Sequence, residues 1–130
     1  MGLIECQDIC KSFGEKVALD HVSVTMEKGK IFGLLGPNGS GKTTLIRIIN
    51  RITIPNSGVI LFDGRPITQR DVEKIGYMPE ERGLYRKMKV GEQALFFARL
   101  KGMSYKDAET ELKKWFVRFG IESWWNKQVE

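Results

Sequence analysis

The eight residues Gly36, Pro37, Asn38, Gly39, Ser40, Gly41, Lys42 and Thr43 satisfy the spacing G-x-x-x-x-G-K-[ST] at every fixed position. A polyphosphate carries several negative charges and has to be held without a bulky wall. Glycines allow the backbone to curl until successive N–H groups converge on such an anion. Lys42 adds a mobile cation for the outer phosphates. The Thr43 hydroxyl, with Thr44 behind it, can reach a magnesium ion bridging two of them. A helix that starts at this point turns its positive dipole end toward the same anion. The ligand class read from these residues is a nucleoside triphosphate with Mg2+.

Two elements must position that loop, and both are legible beside it. The run Ile31-Phe32-Gly33-Leu34-Leu35 is apolar and too short for a buried helix, which predicts a strand covered on both faces. After the loop, Leu45, Ile46, Ile48 and Ile49 recur at helical spacing with Arg47, Asn50 and Arg51 between them. Strand, glycine loop and helix is the order in which this motif is specific rather than accidental.

Composition bounds what else the chain can be. With 130 residues, 42% hydrophobic and 28% charged, it is one domain's worth of ordinary globular sequence. No stretch approaches the ~18 unbroken apolar residues of a membrane span, and the first residues lack a signal-peptide pattern, so an intracellular location is expected. Cys6 and Cys10 are spaced to share one face of a strand about 13 Å apart, too far for a disulfide, and read as buried thiols. His21 is the sole histidine, which disfavours a metal site on those cysteines. No H-E-x-x-H, G-x-S-x-G or C-x-x-C occurs, which leaves protease, lipase and dithiol redox chemistry without residues. The net charge of +5 is spread over Lys28, Lys30, Arg47, Arg51, Arg65, Arg70, Lys87, Lys89, Lys113 and Lys114. That pattern suits a solvated surface, and no nucleic acid is expected as a partner.

Three zones follow along the chain. Ile4 to Phe13 and Val22 to Met26 are β-rich and broken by Gly14 and by Glu27-Lys28-Gly29, which predicts antiparallel strands. Beyond the loop helix, the turn cluster Ile54-Pro55-Asn56-Ser57-Gly58 leads into a strand at Val59-Ile60-Leu61-Phe62, stopped by Asp63-Gly64. Ile75-Gly76-Tyr77-Met78 reads as a further short strand before Pro79. From about Met88 the pattern turns helical. Ala94, Leu95 and Ala98 share one side, Ser104 to Asp107 makes an N-cap box, and Ala108, Leu112, Trp115, Phe116 and Phe119 form a stripe ended by Gly120.

Read with its motifs, the chain resembles the N-terminal part of an ABC-transporter ATP-binding subunit. The loop Gly36-Pro37-Asn38-Gly39-Ser40-Gly41-Lys42-Thr43-Thr44 has the family form, and Lys11-Ser12-Phe13-Gly14 lies where the family carries an aromatic that stacks on adenine. Ala18-Leu19-Asp20-His21-Val22-Ser23, Asn56-Ser57-Gly58 and Phe62-Asp63-Gly64 resemble further family segments. Ile75 to Pro79 leads to the position where most members have glutamine and this chain has Glu80. The run Glu80-Glu81-Arg82-Gly83-Leu84-Tyr85 looks like the bacterial export branch associated with sodium extrusion and drug resistance.

The resemblance implies an α/β P-loop NTPase fold, a partial ABC nucleotide-binding domain with an N-terminal antiparallel β subdomain. About 1–87 would hold that subdomain and the loop core, and about 88–130 the start of a helical subdomain. It implies ATP and Mg2+ as cofactors, with Phe13 stacking on the base, Val17 padding it from the side, and Lys42 and Glu80 as catalytic groups. Thr43 and Glu80 would face the metal. It implies a membrane-spanning transporter subunit docking on the segment from Tyr85 to Val90, a second ATP-binding subunit as a dimer partner, and a cytoplasmic site on the inner face of the membrane. Phe13 offers no hydroxyl, so recognition there is stacking with weak base specificity.

Trp115, Phe116, Phe119, Trp124 and Trp125 have two readings: the core of a small helical subdomain, or exposed members of the partner surface. The family's Ser-Gly-Gly signature, second acidic strand and switch histidine are not among these residues, so the chain is expected to bind MgATP without turning it over alone. Residues 31–35 would then present an apolar edge, with self-association or disorder as the consequence. Other P-loop classes stay open at this level. A GTPase would need N-K-x-D, and Asn126-Lys127-Gln128-Val129 lacks the aspartate. A small kinase would lack the β-rich zone ahead of the loop, and in a scaffold Lys42 and Thr43 would serve no packing need.

Overall fold

The computed structural model describes residues 2–79 and 83–129, which fall into two units meeting between Tyr77 and Met78. The first contains β1 (Ile4–Phe13), β2 (Lys16–Met26), α1 (Lys42–Ile49), β3 (Ser57–Phe62), β4 (Arg65–Pro66) and α2 (Gln69–Val72). The strands form one antiparallel sheet in the order β2-β1-β3-β4. Phe13 pairs with Lys16 across a tight turn in which Gly14 has φ 60°, a conformation that suits glycine.

The sheet's inner face is set by a departure from strict alternation. Side chains on a regular strand alternate between faces, yet Cys6 and Ile9, three positions apart, are both buried. A register shift lies between them, with Asp8 at φ 50°, so the bulge turns Ile9 inward. Gly58 admits this: a Cβ there would come within 2.4 Å of the Asp8 carbonyl oxygen. The expectation that both cysteines are buried on one face therefore holds for Cys6 alone, and Cys10 is half-buried. Burial pushes the Cys6 thiol up to about 11.

Leu45, Ile48 and Ile49, the apolar stripe of α1, pack with Cys6, Ile9, Leu19 and Ile60 to make the core of this unit. Leu34, Ile67 and Ile75 lie against it. Residues 31–35 and 75–78 are not the strands that their apolar runs predict. Neither segment takes strand conformation in the described residues, and Ile31, Leu35 and Met78 are almost wholly exposed. A run of strand-forming side chains becomes a strand only when a neighbour accepts its hydrogen bonds, and the sheet pairs β1 to β4 with one another.

The far edge is closed by an ion pair. Arg65 donates Nη1 to Asp71 Oδ2 at 2.8 Å and Nη2 to Oδ1 at 2.7 Å, while the Thr68 N–H and hydroxyl both donate to Oδ2 at 2.8 Å. This is the capping box of α2.

In the second unit, α3 (Val90–Leu100) and α4 (Tyr105–Phe119) are followed by a 3-10 turn (Glu122–Trp124). Ser104 caps α4 by accepting the Asp107 N–H at 3.2 Å, and Gly120 ends it at φ 70°. The chain then returns to the start of α3: Val90 N–H donates to Lys127 O at 2.8 Å and Gly91 N–H to Trp125 O at 3.0 Å. Gly91 is needed there, because a Cβ would lie 2.5 Å from the Trp125 ring. The expected aromatic stripe of α4 splits in two. Ala108 and Phe116 are buried, Phe116 meeting Trp125 edge-on at 4.9 Å, whereas Trp115 and Phe119 stack on each other at 5.5 Å on the exposed side. The stripe is wider than the helix's buried face.

Asp71 is 1% exposed, and the Arg65 guanidinium with the Thr68 donors holds its carboxyl well below the usual carboxylate range. A lowered native pKa contributes stability that is full above the unfolded value of about 4 and is lost as pH falls below it. Asp71→Asn is therefore expected to lower the urea midpoint at pH 7 and to flatten its decline between pH 5 and pH 3, measured by equilibrium unfolding.

Candidate functional site

The glycine loop connects residues 31–35 to α1 by a path that the backbone dictates. Gly39 and Gly41 sit at φ 82° and 98°, both in the left-handed region. Gly41 is the N-cap of α1 and faces β2 so closely that a Cβ would fall 2.4 Å from the Ala18 carbonyl oxygen and 2.9 Å from Leu19 Cδ2. Glycine is required here both for its dihedral angle and for the room.

The first turn of α1 is arranged for an anion. Its leading N–H groups have no acceptor within the helix, no side chain caps them and no acidic residue lies in that turn. Lys42 folds back over the loop, donating Nζ to the carbonyl oxygens of Gly36 and, at 2.8 Å, of Pro37, with Ser40 Oγ at 3.5 Å. These bonds are exposed, so a phosphate oxygen can replace them at small cost and gain a charge-assisted bond. Pro37, Asn38, Gly39, Ser40 and Thr43 are exposed and Thr44 is half-buried. Thr43 sits on the first turn with its side chain toward solvent, where a hydroxyl ligand for Mg2+ has to be.

Phe13 ends β1, 54% exposed, and Val17, 61% exposed, is the second residue of β2. A core role for Phe13 is thereby removed. The Lys11 ammonium lies over the ring, 5.2 Å from its centroid, so one face of the aromatic carries a cation. A clamp that the sequence reading treated only as a turn holds this hairpin: Asn56 Oδ1 accepts the Ser12 N–H at 2.7 Å, and the Asn56 N–H donates to Cys10 O at 2.8 Å. Asparagine in a turn cluster beside a strand was the available signal. Glu80, expected at the metal, lies outside the described residues.

In the second unit Tyr85 is exposed and packs edge-on against Phe96 at 6.5 Å, and with Lys87 and Met88 they line a groove of about 440 Å3. Gln93, which no sequence motif singles out, sets this loop. Although buried, its amide accepts the Tyr85 N–H at 2.8 Å and donates to Tyr85 O at 3.4 Å. A polar residue on the apolar side of α3 marked it.

Residues 19–130 match the sequence model of the ABC transporter family. The chain belongs to the ABC transporter family. It is 44% identical over 128 residues to YhaQ of Bacillus subtilis, an uncharacterized ABC transporter ATP-binding protein, covering 98% of this chain and 43% of that one. An uncharacterized ABC transporter ATP-binding protein of Methanocaldococcus jannaschii is 39% identical over 121 residues, with coverages of 93% and 43%. Among solved structures, the ADP conformation of an ATP-binding cassette of an ABC transporter superposes with a TM-score of 0.75 at 25% identity, covering 99% of this chain and 58% of that one. A component of the cbiONQ ABC transporter complex from Clostridium perfringens gives 0.72 at 26% identity, with coverages of 98% and 54%. The chain thus spans less than half the length of these two relatives, and carries the part of the ABC ATP-binding domain that contains the glycine loop.

The ABC loop geometry separates its two left-handed glycines. Gly39→Ala meets nothing within 4 Å and is expected to cost only the left-handed penalty, about 1–2 kcal/mol. Gly41→Ala adds the collision with β2 and is expected to cost about 1–3 kcal/mol more by urea unfolding. Equal losses would contradict the close approach.

Proposed function

We propose that the loop of residues 36–44 holds the triphosphate of MgATP and that Phe13 and Val17 receive its adenine, so that the subunit energises transport by binding and hydrolysing ATP. The observation that carries this is the uncapped first turn of α1 behind Gly39 and Gly41, with Lys42 turned onto the loop and an exposed aromatic on the same unit. Gly36, Pro37, Asn38, Gly39, Ser40, Gly41, Thr43 and Thr44 supply backbone and hydroxyl contacts, Lys42 the charge, and Thr43 and Glu80 the ligands for Mg2+. Bound Mg2+ would draw charge from the outer phosphates. These 130 residues hold neither the second acidic strand nor a switch histidine, so taken alone they bind MgATP without sustained turnover.

Three finer readings belong to the same proposal. The run Glu80 to Tyr85 supports the export branch of the sodium-extrusion and drug-resistance type. The exposed Tyr85 and half-buried Met88, tied to α3 through Gln93, support docking of a membrane-spanning subunit on the segment from Tyr85 to Val90. No helix among the described residues is long and apolar enough to cross a membrane, and the proposed place of work is the cytoplasmic face, beside that subunit and a second ATP-binding subunit. No nucleic acid enters the scheme.

Titration calorimetry with Mg2+ tests the nucleotide assignment. Lys42→Ala is expected to weaken ATP binding about ten- to hundredfold, in line with a charge-assisted bond of ~1.5–3 kcal/mol. Phe13→Ala is expected to weaken it about five- to hundredfold, the stacking term of ~1–3 kcal/mol. Undiminished binding in both variants would overturn the assignment.

A further inference from the structure

The hairpin of β1 and β2 also gathers groups that nucleotide binding does not use. Cys10 Sγ, a carboxylate oxygen of Asp20 and a ring nitrogen of His21 all lie within 4.8 Å of one another. Neighbours on a regular strand point to opposite faces, so Asp20 and His21 should diverge. They converge because His21 stands at φ 48°, in the left-handed region that histidine enters more readily than most residues, where the strand bulges. The His21 N–H donates to Cys10 Sγ at 3.3 Å, which ties the thiol to the same bend. The imidazole is flanked on both sides, Nε2 lying 3.9 Å from Asp20 Oδ1 and Nδ1 3.9 Å from Asp8 Oδ1. Asp8 is held in the facing bulge at φ 50°, where its N–H donates to Ser23 Oγ at 2.9 Å.

We propose that Cys10, Asp20 and His21 form a zinc-binding site on the β1–β2 hairpin, with Asp8 as the carboxylate that orients the imidazole. Sulfur, nitrogen and carboxylate oxygen together are a ligand set of Zn2+, and three protein ligands leave a fourth tetrahedral position for water. Ligand atoms around tetrahedral zinc stand about 3.3–3.8 Å apart, given bonds of ~2.0–2.3 Å. Closing the set therefore takes roughly an ångström of movement, available to the exposed side chains of Asp20 and His21. Asp8, 3.9 Å from Nδ1, would close to hydrogen-bond distance on binding and so fix the tautomer that leaves Nε2 for the metal. Binding converts the Cys10 thiol to thiolate and releases one proton. In the sequence a sole histidine disfavours a metal site on the cysteines; the hairpin and its bulges supply the missing ligand by bringing Asp20 beside His21 and Cys10.

The test is zinc chloride binding to the untagged chain, by competition with a chromophoric chelator, with cobalt(II) absorption as a second readout. One zinc per chain is expected, with a thiolate charge-transfer band in the cobalt form. Cys10→Ser and His21→Asn should each weaken zinc at least tenfold and Cys10→Ser should abolish the band; Asn tolerates the left-handed backbone, so folding is preserved. Asp8→Asn should weaken it about tenfold, and Cys6→Ala should leave it unchanged. Retained MgATP binding certifies each variant as folded. No stoichiometric zinc in the parent chain, or unchanged affinity in Cys10→Ser, would overturn the proposal.

Discussion

The contact between Gly41 and the Ala18 carbonyl is the constraint on which the nucleotide-facing part of the molecule depends. It presses the start of α1 against β2 with no room for a side chain, while Leu45, Ile48 and Ile49 anchor the helix to Cys6, Ile9, Leu19 and Ile60. Those two contacts locate the dipole end of α1 relative to the sheet. Because β2 continues back through the Gly14 turn to Phe13, the same contact links the phosphate loop to the aromatic platform through a single rigid hairpin. The role of the sheet is therefore positional: it sets how far Phe13 lies from the glycine loop.

Strain in this sheet is concentrated rather than spread. Asp8 and His21 take left-handed conformations in facing strands, and Gly58 yields to the first of them. Such conformations cost about 1–3 kcal/mol each and persist where the surroundings over-determine them. The bulge at Asp8 has a clear return, since it delivers Ile9 to the core with no exposed surface left. The bend at His21 has a similar return, since it turns both Leu19 and Val22, three positions apart, toward the core, and it leaves Asp20 and His21 together on the solvent face.

What was legible in the sequence is what local pattern encodes. The loop, α1, β1, the Ser104 cap and the Gly120 stop follow from dihedral needs and periodicity within a few residues and stand where their patterns place them, whereas β2 begins at Lys16, six residues before the Val22 at which its β-rich run starts. The misses share another cause. Residues 31–35 were read as a buried strand from their apolarity, but strand formation depends on a neighbour that no local pattern reveals. The bulges depend on φ at Asp8 and His21, which a period of two cannot signal. The outward turn of Trp115 and Phe119 is a matter of how wide a face the second unit covers, and the Gln93 clip on Tyr85 is a tertiary contact across eight positions. At the candidate site, the glycine loop and its left-handed positions are legible in the sequence, whereas the Asn56 clamp on Ser12 is signalled there only by an asparagine in a turn cluster.

If glycine loop and Phe13 form a single ATP site within one unit of the chain, backbone amide shifts in a nitrogen-15 labelled sample titrated with MgATP will show it. Large, saturable shifts are expected at Gly39, Ser40, Gly41, Lys42 and Thr43 together with Phe13 and its neighbours, all following one binding curve. Shifts confined to the loop with Phe13 unmoved, or a loop that stays silent at saturating nucleotide, would contradict it.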